Sequence, residues 1–100
     1  MDVLDDTIRL ALEKTIDLHI KDPKAVEKET SAVLKAQGIE PNLETNLSFL
    51  FGIFFGMTTS YYASKYSRYI NEAEISSFLE IMKRRNWELR QAIMGTRIGK

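Results

Sequence analysis

Cysteine is absent from this sequence. With it go disulfides, thiolate catalysis and any cysteine zinc site, and the composition fits a reducing cytoplasm, which is the expected location. Histidine occurs once, at His19, with no carboxylate at helical spacing on the same face to orient it as a base or a metal ligand. We read it as a residue at the edge of a core. Two prolines, five glycines and no long polar tract argue against disordered segments. Net charge is also lacking, because fourteen basic and fourteen acidic residues cancel. The overall balance therefore predicts neither a nucleic-acid partner nor a strongly acidic surface. The first residues, Met1-Asp2-Val3-Leu4-Asp5-Asp6, are acidic where a secretory signal is basic and then apolar, so no targeting peptide is expected. No stretch alternates with period two, which removes the main strand signal.

What is present is helical periodicity, and it predicts an all-α single domain over 1–100, a compact four-helix bundle. The expected helices span about 2–20, 23–37, 44–69 and 72–94, with a frayed tail over 95–100 beginning at Gly95. In the first, Leu4, Ile8, Ala11, Leu12, Thr15 and Leu18 form the apolar stripe, with Asp6, Glu13 and Asp17 opposite. Asp22-Pro23 supplies an N-cap and a first-turn proline for the second, whose weaker stripe is Val26, Thr30, Val33 and Leu34. Gly38 suits the left-handed position after that helix, with Ile39 next to it. Asn71-Glu72-Ala73-Glu74 reads as a capping box for the fourth. Its face is Ile75, Phe78, Leu79, Met82, Leu89 and Ile93, interrupted by Asn86.

The third helix departs from the ordinary pattern. No charge occurs between Glu44 and Lys65, and Leu47 to Met57 is apolar around the whole circumference. Such a helix is buried on every side or lies in lipid. Leu47, Phe51, Phe54, Phe55, Thr58 and Tyr62 form a broad face, while Gly52, Gly56, Thr59 and Ala63 form a line of small residues. The spacing matches a membrane dimer motif, and Thr45 to Ser64 has the length of a span. Only eleven residues are strongly apolar, however, and polar residues follow directly, so a buried soluble helix is favoured over a membrane. The aromatic face is expected to pack within the subunit. Dimerisation through Gly52, Gly56, Thr59 and Ala63 then completes the burial of the third helix, in preference to close packing of a neighbour from the same chain.

The search for chemistry returns little. Gly95-Thr96-Arg97-Ile98-Gly99-Lys100 resembles a phosphate loop but is one residue short between its glycines and has no hydroxyl after the lysine. Asp2, Asp5, Asp6, Glu13 and Asp17 lack the spacing of a cation loop. Tyr61, Tyr62, Tyr66 and Tyr69, with Lys65 and Arg68, read as a helix leaving the core. Lys83, Arg84, Arg85 and Arg90 surround Trp87, a basic and aromatic set of the kind that tracks a phosphate backbone. The helical wheel scatters these bases, so a solvated face, or one complementing the acidic first helix, is favoured. The expectation is a non-enzymatic, homo-oligomerising interaction module that binds itself and another protein, with no catalytic residue, metal or cofactor. A small nucleic-acid-binding protein and a membrane-associated protein using 45–64 are the alternatives.

Overall fold

The computed structural model describes the backbone of residues 3–98 and the side chains through Gly95. These residues form four α-helices and no strand: α1 (Asp6–Lys21), α2 (Pro23–Ala36), α3 (Leu43–Tyr66) and α4 (Glu72–Ile98). Each begins or ends where local chemistry dictates. Asp5 caps α1 by accepting from the amides of Thr7 and Ile8 at 2.8 and 3.2 Å. Asp22 caps α2, and Pro23 occupies its first turn. Asn42 and Thr45 exchange side-chain and backbone hydrogen bonds at 2.9 Å each, a capping box at the start of α3. Asn71 and Glu74 repeat the arrangement for α4.

Gly38 ends α2 at φ 77°, and the Ile39 amide reaches back to the Leu34 carbonyl at 2.8 Å. That pairing is the Schellman ending expected from Gly38-Ile39. Some boundaries shift. The first helix begins at Asp6 rather than near residue 2, because Asp5 is the cap; residues 1 and 2 lie outside the described residues. The third stops at Tyr66, where Ser67 takes a left-handed conformation. The fourth passes through Gly95 and ends at Ile98 rather than near residue 94. A single glycine weakens a helix by about 1 kcal/mol, which one residue in a 27-residue helix absorbs. Gly99 and Lys100 lie outside the described residues.

The helices close around one core. Leu12, Ile16, Leu50, Phe54, Tyr62, Phe78 and Ile93 are almost fully enclosed, and α3 packs against each of the other three helices. Phe78 is fixed by edge-to-face contacts with Phe51 and Phe55, at 5.5 and 5.2 Å between ring centres. His19 lies at the core edge as expected, its Nδ1–H donating to the Thr15 carbonyl at 2.7 Å and its ring edge-on to Phe54.

Three stripe residues are placed differently from the sequence reading. Leu18, Val33 and Leu79 are exposed, whereas Ile16 and Ile81 are buried. On α1 the buried row is Leu4, Ile8, Leu12 and Ile16, spaced by four. Leu18 lies about 200° around the helix from Ile16 and so faces outward. The core also contains a polar element. Asn46 is fully buried, with its amide donating to the Asn42 carbonyl at 2.9 Å and its oxygen accepting from the Thr30 hydroxyl.

Candidate functional site

The packing of α3 leaves its outer side uncovered. Looking down the helix, Asn46, Leu47, Leu50, Phe54, Thr58 and Tyr62 point inward and are buried. About 180° from Phe54 lies the line of small residues, of which Gly52, Gly56 and Ala63 are exposed and Thr59 is half-buried. Thr59 donates its hydroxyl to the Gly56 carbonyl at 2.9 Å. A methyl group added at Gly52 or Gly56 would find no atom within 4 Å. Among the described residues, no helix packs closely on Gly52 or Gly56.

The seam does not stand alone. Phe49, half-buried, and Ile53, 38% exposed, flank the glycines. The result is a shallow trough with an apolar ridge beside it. It runs about 16 Å from Gly52 to Ala63 at the rise of an α-helix, with no charged side chain on α3 between Glu44 and Lys65. No helix among the described residues is long and apolar enough to cross a membrane.

The basic set on α4 is divided rather than brought together. Arg84 and Arg85 turn toward α1 and both pair with Glu13, while Arg85 also pairs with Asp17 and with Glu88 at 2.8 Å. The Arg85 side chain is 11% exposed. Burial alone would pull its guanidinium down, but hydrogen bonds to Asp17, Glu13 and Glu88 outweigh burial and hold it above the usual arginine value. Arg90 turns the other way and grips Glu44 of α3 through both nitrogens, at 2.7 and 3.1 Å. That bond lowers the Glu44 carboxyl below its ordinary value.

Lys83 is the one base of the four without an ion pair among the described residues. Trp87 points straight out at 66% exposure. Three of the four cations are therefore held by carboxylates, among them Glu13 and Asp17 of the first helix.

A second polar cluster joins Tyr62, Lys65, Tyr66 and Arg68, which the sequence groups at the end of the third helix, to Asp5 and Glu74, which it does not place there. Lys65 reaches Asp5 at 2.8 Å, and the Tyr66 hydroxyl donates to the same carboxylate. The Asp5 amide donates to the Tyr62 hydroxyl at 2.9 Å. Arg68 lies over the rings of Tyr62 and Tyr66 and closes a two-pronged bond to Glu74 at 2.9 and 2.7 Å. Lys65, and then Tyr66, push the Asp5 carboxyl well below the usual carboxylate range. Burial is the main reason that Tyr62 is raised. Every carboxylate and cation here has a structural partner, so the cluster reads as a clasp tying residues 3–5 onto α3. The Val3 amide adds a bond to Ser77 of α4 at 2.8 Å.

Between α3 and α4 a groove of about 410 Å³ opens. Phe51, expected to be packed, forms one wall at 39% exposure, and Leu79 forms the other. Among the described residues there is no group of acidic or histidine side chains arranged to hold a metal ion. No protein family, curated protein or solved structure matches this chain.

Proposed function

We propose that this chain is a non-enzymatic helical interaction module of the cytoplasm, which self-associates as a homodimer through the outer face of α3 and presents the assembled surface to another protein. The observation that carries this reading is the open, charge-free trough at Gly52 and Gly56 with Phe49 and Ile53 beside it. The face is self-complementary. A two-fold axis across it brings the Ile53 ridge of one copy over the glycine trough of the other, burying both with one set of contacts.

Lack of cysteine supports the cytoplasmic assignment.

The test is Ile53→Glu, a change at an exposed position that the isolated subunit tolerates. Light scattering is expected to show the parent as a dimer and the variant as a monomer, with matching helical circular dichroism. A dimer that survives Ile53→Glu unweakened overturns the assignment of the interface.

A further inference from the structure

We propose that the groove between α3 and α4 binds a small amphipathic carboxylate, a ligand with a single apolar tail and an anionic head. The proposal stands apart from self-association, because the groove lies on the α4 flank of α3 rather than on its outer face.

The groove has two chemically distinct parts. Its floor and walls are Phe51, Leu79 and Met82. Met82 is buried, and the Phe51 ring is held edge-on against Phe78, so the wall is preformed rather than a loose side chain. Leu79 is 47% exposed. A volume of about 410 Å³ falls within the range of roughly 300–1,000 Å³ typical of small-molecule clefts.

The rim carries donors, beside the Glu44 carboxylate that Arg90 holds. Ser48, Lys83 and Asn86 border the groove, and none of the three side chains makes a hydrogen bond or ion pair with another described residue. Asn86 is the residue that breaks the apolar face of α4 in sequence, and here it sits beside the apolar floor. An ammonium, an amide and a hydroxyl together can surround one carboxylate, supplying a charge-assisted bond from Lys83 and neutral bonds from the others.

The charge balance selects a single negative charge. Arg90, at the end of the same rim, is already neutralised by Glu44, which leaves Lys83 as the one uncompensated cation. A phosphate dianion would find only half its charge matched, and a cationic amphiphile would be repelled. A plain alcohol would forgo the charged contact.

Octanoate is a suitable probe, with octanol, octylammonium and butyrate as controls, titrated into the intact protein and followed by amide and side-chain NMR shifts. Octanoate is expected to shift the Asn86 side-chain amide together with Phe51 and Leu79. Octylammonium and butyrate should bind at least about tenfold more weakly. Lys83→Gln should weaken octanoate about fivefold or more and leave octanol unchanged, and Leu79→Gln should weaken both. The position is exposed, so that variant folds. Equal binding of octanoate, octanol and octylammonium overturns the proposal, as do octanoate shifts centred on Gly52 and Gly56 instead of the groove.

Discussion

Replacing Gly56 with alanine separates the two environments that its surface can occupy. In the isolated subunit the added methyl meets no atom within 4 Å, and the residue sits inside a 24-residue helix with no left-handed backbone to strain. The only intramolecular consequence is propensity. Alanine is favoured over glycine in a helix interior by about 1 kcal/mol, partly because glycine loses more backbone entropy on folding. For a chain of this size that corresponds to a rise in Tm of about 4–8 °C.

In the proposed dimer the same methyl stands in the trough that receives the partner's ridge, and it appears twice, once from each copy. Overpacking of a close interface costs about 1–3 kcal/mol, so association weakens as the subunit becomes more stable. The assay is thermal unfolding by circular dichroism at low protein concentration, paired with sedimentation velocity across a concentration series. A raised Tm with a weakened dimer agrees with the reasoning. A raised Tm with undiminished association shows that the seam is not the interface. A lowered Tm at low concentration refutes the open-space geometry itself.

Two further substitutions address the ionic architecture. Arg85→Ala, which takes the ion-pair partner from Asp17 and Glu88 and leaves Glu13 with Arg84 alone, should cost about 2–3 kcal/mol in urea unfolding. Arg84→Ala, at an exposed side chain, should cost less than about 1 kcal/mol, and equal effects would show that burial of the Arg85 network is not what matters. Asp5→Asn retains an N-cap acceptor but loses the charge facing Lys65. Because the folded state depresses the Asp5 carboxyl below its ordinary 3.8, the stabilisation is full above that value and fades as pH falls below it. The Tm gap between parent and Asp5→Asn should therefore be constant from pH 5 to 7 and narrow below about pH 4; a gap that widens in acid contradicts the clasp.

The parts of the fold that were legible in sequence are those written locally. Asp22-Pro23, Gly38-Ile39 and Asn71-Glu74 each specify a helix end through atoms no more than five residues apart, and all three act as read. The outward line of Gly52, Gly56 and Ala63 follows from helical spacing in the same way.

Pairings between helices were beyond the sequence. Glu44 and Arg90 are 46 residues apart, and Asp5 and Lys65 are 60 apart. Only the packing of α3 against its neighbours brings them together. The overall acidic bias of the first helix and basic bias of the last did foreshadow Glu13 and Asp17 facing Arg85. Asn46 shows the opposite limit. An asparagine beside Leu47 carries no local sign of burial, and its place inside depends on Thr30 arriving from α2. Leu79 was assigned to the core from periodicity alone. Periodicity defines an arc but not its edges, and the edge of this arc is the wall of the α3–α4 groove.

Self-association requires that a second copy of the chain cover the open face of α3. Sedimentation equilibrium of the unmodified protein, from low to high micromolar concentration, tests it most directly. The prediction is a reversible rise to the mass of two 11.5 kDa chains; a single-chain mass maintained through high micromolar concentration contradicts it.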